Sequence, residues 1–211
     1  MRHRKKLLLI IALAPVLLTI LLGAAWFLWP GRDSPQAFSS SGGQAFAEKV
    51  VIDVPFFLQN DDRWAEEEIG DSGCRMGSEG CVITSVAMLI NYYGIDTDPK
   101  RLNKYLSQNG GYTEEGRIYW NKVCEFSNGK VKLTYVGPGS YDIIDEHIRS
   151  GNPVIVKIYI YKVIPHWVLI VGKEGQEYFI NDPAAADKKV RKLSDYDSDI
   201  YAVRIYEKKE Q

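Results

Sequence analysis

Gly80-Cys81-Val82-Ile83-Thr84-Ser85-Val86-Ala87-Met88-Leu89-Ile90-Asn91-Tyr92-Tyr93-Gly94 reads as a buried helix with a cysteine in its first turn. Apolar residues at 82, 83, 86, 89 and 90 recur at steps of three and four, the helical period. Gly94 stands where a left-handed residue would end such a helix. Cys81 therefore falls at the positive end, where backbone N–H groups lack intrahelical acceptors and favour an anion. Such a position suits a thiolate nucleophile. The plainer reading is a small buried hydrophobe, the commonest role of a free cysteine.

Upstream, the chain divides into two stretches of different composition. Residues 1–30 hold Arg2, Arg4, Lys5 and Lys6 and then the uncharged run Leu7–Trp29. As a helix, that run would span about 35 Å against a hydrocarbon core of about 30 Å. The basic end is expected in the cytoplasm and the rest of the chain outside the membrane. A cleaved signal peptide is the rival, but its apolar region is shorter and ends in an A-x-A-like site. Gly23-Ala24-Ala25 is a poor match and is followed by more apolar residues. Residues 31–49, with Ser39-Ser40-Ser41-Gly42-Gly43, have linker composition and are expected to form a flexible tether. The folded domain is then 50–211, opening on a strand at Val50–Val54.

Downstream, helical segments are expected at Asp98–Ser107, Ile118–Phe126 and Tyr141–Arg149, with a strand at Lys130–Val136. From Pro153 the pattern becomes that of strands, at 154–161, 166–172, 177–181 and 200–206. Helices first and an antiparallel sheet afterwards define an α+β domain.

Composition narrows the chemistry. The net charge of -1 conceals four positive charges in the first six residues, leaving about -5 on residues 7–211. Nothing there suggests a nucleic-acid partner. Cys74, Cys81 and Cys124 are the cysteines, with no CxxC or HxxxH spacing, so no metal and no cofactor is expected. The acidic run from Asp61 to Asp71 reads as a solvated face, with a subsite for a basic substrate as the alternative.

A cysteine nucleophile needs a base, and the base needs an orienting group. His147 lies within an amphipathic helix and reads as structural. His166 opens the apolar run Trp167–Val171, which places an ionisable ring at the end of a buried strand. A hairpin turning on Lys173-Glu174-Gly175 sets residue 182 opposite residue 166. Asp182 would then stand beside His166 and accept its Nδ1–H, whereas Asn181 would face the other side of the sheet. The oxyanion donors would be the backbone N–H of Cys81 and the side-chain amide of Gln59.

With these residues assembled, 54–184 resembles the stand-alone, double-glycine-peptidase-like branch of the papain-like cysteine peptidases, related to bacteriocin-processing peptidases. The matching pieces are Val54-Pro55 with Gln59 and Trp64, Gly80-Cys81 with Thr84-Ser85 and Ala87-Met88, and Tyr92-Tyr93-Gly94. Pro99, Leu102, Asn103, Leu106, Asn109-Gly110-Gly111-Tyr112, Trp120, His166-Trp167-Val168 and Asn181-Asp182-Pro183-Ala184 complete them. The resemblance implies a papain-like fold, with Cys81 as nucleophile, His166 as base, Asp182 as orienter and Gln59 at the oxyanion hole. The resemblance is to the stand-alone form, so no transporter ATPase module is expected, and a double-glycine leader is not the expected substrate. The expectation is a membrane-anchored, extracytoplasmic cysteine peptidase acting on a peptide or protein, held in the cytoplasmic membrane by residues 7–29. A cell-wall peptide amidase or acyltransferase, and a non-catalytic binding module of the same fold, are the alternatives.

Overall fold

The computed structural model describes residues 37–209. The expected membrane span and cytoplasmic stub at 1–30, and the first residues of the expected tether, lie outside them. Among the described residues no helix is long and apolar enough to cross a membrane.

Helices come first in the main and strands afterwards, as the composition shift implies. Helix α1 (Met76–Glu79) runs through Gly80 into α2 (Cys81–Tyr92), followed by α3 (Pro99–Gln108), α4 (Lys122–Phe126) and α5 (Tyr141–Arg149). The large antiparallel sheet has the order β2-β5-β4-β8-β3, built from Ser41–Val51, Ile164–Asn181, Val154–Ile160, Ala202–Lys208 and Val131–Gly137. The two-residue strand β6 (Arg191–Lys192) adds to β5, and β1 (Phe38–Ser39) pairs with β7 (Asp199–Ile200) as a separate ribbon.

Helix α2 is apolar on nearly every side, which is how a helix surrounded by protein reads. Val86, Ala87, Met88, Leu89 and Ile90 are fully enclosed. Truncating a residue such as Leu89 to Ala would cost ~2–5 kcal/mol. Tyr93 caps the helix and Gly94 follows at φ +88, as its stop signal requires. Gly80 has a steric duty: a Cβ there would collide with the Met76 carbonyl, so only glycine lets α1 run straight into α2. Asp98 caps α3 by accepting from the Arg101 N–H at 2.8 Å. The third helix is shorter than its pattern suggests, because Ile118 forms a bridge with Tyr112 and the helix begins only at Lys122.

The tether expected at 31–49 needs correction. Phe38–Ser39 and Ser41–Val51 are strands, and the large sheet therefore starts at Ser41, well before residue 50. Strand β2 pairs with β5 from Ser41↔Glu177 to Val51↔Gly172, while the expected strand residues 52–54 carry no strand assignment. Linker-like composition here serves close packing. A Cβ on Gly42 would come within 2.5 Å of the Tyr141 ring, and one on Gly43 within 2.5 Å of Asp145 Oδ2.

Strand β5 also differs from the expected pair of strands, since it is one extended span from Ile164 to Asn181. Sixteen residues of straight strand would cover roughly 50 Å. Yet the side chains of residues 166 and 182 touch, so the span folds back on itself. Gly175, at φ +56, supplies the left-handed residue in this bend. On its first arm β5 pairs with β4 from Val154↔Ile170 to Ile160↔Ile164.

Candidate active site

Two elements deliver the central groups. Cys81 is the first residue of α2, and Ser85, one turn on, donates its hydroxyl to the Trp167 carbonyl at 3.2 Å. That bond fastens the cysteine helix to the strand of His166. Cys81, His166, Asp182 and Gln59 are all buried.

His166 Nε2 and Asp182 Oδ1 lie 2.6 Å apart. The expectation that Asp182 would take the Nδ1–H is therefore wrong about the nitrogen. Strand register fixes which residues face each other but leaves the χ2 rotation of the ring open. With Nε2 engaged by the carboxylate, Nδ1 is the ring nitrogen left for the thiol. Burial pushes the His166 pKa down, but hydrogen bonds to Asp182 and Cys81 and their charges outweigh it and raise the value to about 9. Asp182 and Cys81 thus both favour the protonated ring.

Asp182 is held from three sides. Besides the imidazole, the Tyr196 hydroxyl donates to Oδ2 at 2.5 Å and the Ala184 N–H to Oδ1 at 2.8 Å. Burial raises its pKa, yet these donors and the His166 charge hold the carboxyl below its ordinary range. The sequence reading missed Tyr196, which sits in a 3-10 turn (Leu193–Tyr196) fourteen residues past Asp182. An isolated tyrosine in a polar stretch carries no periodic signal. Asn181 is buried and makes no hydrogen bond to His166, and its Oδ1 has no hydrogen-bond partner among the described residues.

Gln59 is positioned from both ends. Its backbone N–H donates to the Pro183 carbonyl at 2.8 Å, tying it to the loop that follows Asp182. Its Nε2 donates to the Gly77 carbonyl at 2.9 Å, in the short helix leading into Cys81. An amide nitrogen carries two hydrogens, so one donor remains. The Gln59 Oε1 is buried without a partner among the described residues.

A second feature escaped the sequence reading. The Arg204 guanidinium lies 4.9 Å from the Trp120 ring and 5.0 Å from that of Trp167, the residue after His166. Burial lowers the Arg204 pKa, and its Nη1 donates to the Val203 carbonyl at 2.9 Å. Cation and indoles brace the strand that carries the imidazole. His147, by contrast, bonds to the Ile143 carbonyl of its own helix at 2.8 Å and approaches Glu207 at 3.5 Å. It belongs to the structure of α5.

A buried thiol on a helix N-terminus beside an imidazole braced by a carboxylate defines the chemistry of a thiol hydrolase. Residues 51–209 match the family described as the Peptidase_C39 like family, and the chain belongs to it. It is accordingly a cysteine peptidase. Among solved structures, a Bacillus anthracis protein described as a C39-like peptidase aligns at 16% identity and TM-score 0.50, covering 78% of this chain and 100% of that one. A double glycine motif protease from an AMS/PCAT transporter, in complex with the leader peptide, aligns at 17% identity and TM-score 0.48, over 77% and 97%. A search of curated proteins finds no match.

Proposed function

We propose that this chain is a membrane-anchored, extracytoplasmic cysteine peptidase of papain-like architecture that cuts peptide bonds with Cys81, His166 and Asp182. The observation that carries the reading is the 2.6 Å contact of His166 Nε2 with Asp182, on a ring whose pKa the neighbouring Cys81 also helps to raise. In the reaction, the Cys81 thiolate attacks the scissile carbonyl carbon, and the carbonyl electrons move to oxygen. The Cys81 N–H and the free Gln59 amide hydrogen stabilise that oxyanion. As the C–N bond breaks, the His166 imidazolium gives its proton to the leaving amine. Water then attacks the thioester, giving one proton to the imidazole, and the acid product leaves as the thiolate–imidazolium pair returns. Asp182 holds the ring and stays ionised throughout.

The anchor rests on sequence alone, on the Arg2–Lys6 cluster followed by Leu7–Trp29. Protease added to intact cells is expected to digest the domain, and full protection would sink the topology. The activity is tested by mass-spectrometric identification of peptides cut by the detergent-solubilised full chain, with Cys81→Ala as control. Cleavage that persists in the control would remove Cys81 from the mechanism.

A further inference from the structure

Half of the large exposed apolar side chains among the described residues are scattered, at Val51, Tyr119, Val136 and Val190. Scattered residues of this kind are ordinary surface. One edge is different. The turn joining β4 to β5 exposes Tyr161 to 82%, Val163 to 73% and Ile164 to 52%. Tyr201, also exposed, joins them through Tyr159, whose ring stands 4.7 Å from its own in an edge-on arrangement. Four of the large exposed hydrophobics thus share one tip.

The turn is built against backbone preference. Tyr161 has φ +51 and Lys162 φ +64, and the Val163 N–H returns to the Ile160 carbonyl at 3.2 Å. Two successive positive φ values mark a type I′ turn, which favours Asn-Gly. A tyrosine and a lysine there are strained, and backbone strain of this kind collects at functional surfaces.

The same edge is where the chain enters the domain. Ser39, Tyr159, Lys162 and Tyr201 line one open cleft, and Phe38 pairs with Ile200 beside it. Only eight residues, nine Cα-to-Cα steps, separate Trp29, the end of the apolar run, from Phe38. At ~3.3–3.6 Å per residue, those nine reach at most roughly 30 Å. If the run crosses the bilayer, the entry edge and its apolar tip cannot lie far from the lipid surface.

On the proposed membrane-anchored reading, on which this inference rests, we propose that the Tyr161–Ile164 turn, flanked by Tyr201, docks into the interface of the phospholipid bilayer. Tyrosines and short aliphatic residues are what that interface accepts. Docking is apolar rather than electrostatic, because Lys162 is paired with Asp197 at 3.1 Å and Asp199 lies nearby, leaving Lys157, which donates to the Tyr159 hydroxyl at 3.0 Å, as a single cation and not a basic patch. Ile164 is two residues from His166, roughly 7 Å of strand. A docked tip therefore holds the peptidase site against the bilayer, so that its substrates are peptides at or emerging from the membrane surface.

The test uses the full chain reconstituted in phosphatidylcholine vesicles that contain a photoactivatable phosphatidylcholine, with labelled peptides mapped by mass spectrometry. The expected result is lipid labelling of peptides from 7–29 and from 159–165, with none around Tyr119. Raising the salt to molar concentration should change the 159–165 labelling by less than about twofold. The triple change Tyr161→Ser, Val163→Ser, Ile164→Ser should lower labelling across 159–201 by about tenfold and leave 7–29 unchanged. Labelling confined to 7–29 would overturn the docking while leaving the anchor standing. No labelling at 7–29 would bring down the anchor and the docking with it. Labelling of 159–165 that collapses in salt would overturn the apolar mechanism, and crosslinks joining two copies through 159–165 would assign the tip to self-association.

Discussion

Two buried carboxylates in this domain each hold a cation, and their surroundings differ in one respect. Asp145 accepts from Lys173 Nζ and from the Tyr178 hydroxyl, each at 2.6 Å, and from the Gln44 N–H at 2.9 Å. Lys173 Nζ donates its other two hydrogens to the Gly42 carbonyl at 2.7 Å and the Tyr178 hydroxyl at 3.3 Å, and lies over the Phe46 and Tyr178 rings. Every polar group in that cluster has a partner inside the fold, and together they clamp β2 to α5 and β5. Asp182 is just as well supplied with donors, but its cation is an imidazole whose second nitrogen is left to a thiol. A saturated network specifies structure, whereas one with an open position can do chemistry.

The widest separation between the two clusters is expected from their first substitutions. Cys81→Ala and His166→Ala should lower turnover by ~10⁴ or more while leaving the fold intact. Cys74→Ala and Cys124→Ala should leave it within about tenfold. Assay of a fluorogenic peptide beside circular dichroism checks both halves, and an unfolded Cys81→Ala would erase the contrast.

Asp145→Ala should do the reverse. It leaves the Lys173 cation buried and unpaired, a loss of ~3–5 kcal/mol in stability. In a domain of this size that is a fall in Tm of roughly 10 °C. Specific activity of the molecules that remain folded should stay within a few-fold. Replacing the pair together, as Lys173→Met with Asp145→Leu, should recover much of the loss, because well-packed apolar residues often match a buried ion pair. A double variant no more stable than Asp145→Ala would show that the clamp acts through its hydrogen bonds to β2.

What the sequence disclosed follows the same division. The α2 period, the Gly94 stop and the facing of residues 166 and 182 are local or nearly local, so a count of positions finds them. The clamp is invisible to such counting, because Gly42 and Gly43 look like linker until Tyr141 and Asp145, about a hundred residues on, are placed against them. Tyr196, Arg204 and the ring nitrogen chosen by Asp182 likewise depend on tertiary packing or on a side-chain torsion. The membrane run is plain in composition and lies outside the described residues.

Within the site, the two neighbours at the end of β5 should separate next. Asp182→Ala removes the acceptor that orients His166 and should lower turnover by ~10² or more. Asn181→Ala should cost far less, since its side chain makes no hydrogen bond to the ring. Tyr196→Phe, which takes one donor from Asp182 Oδ2, should fall between them. Turnover measured for all three ranks them, and a crippled Asn181→Ala would show that the catalytic pairing differs from the 2.6 Å contact seen here.

The smallest effect, and the most specific, is in the dependence of stability on pH. The folded His166 pKa of about 9 lies above the ordinary 6.5, so protonation stabilises the fold. That contribution is complete below about pH 6.5 and is lost as the pH rises through about 9. Asp182 works from the other side: its lowered pKa makes a contribution present above its ordinary 3.8 and lost as the pH falls through the folded value. Denaturant unfolding of the wild type should therefore show stability declining between pH 6.5 and 9 and again in acid. Asp182→Asn removes the carboxylate charge and should flatten both limbs. Cys81→Ala withdraws one of the groups that raise the imidazole pKa, so its alkaline decline should move to lower pH while the acid limb stays. Lys173 and Asp145 offer the control: Asp145→Leu with Lys173→Met should leave the alkaline limb where it was. An alkaline decline insensitive to both Cys81→Ala and Asp182→Asn would mean that the imidazole is not held between the two groups, and the open position that sets this site apart from the clamp would be lost.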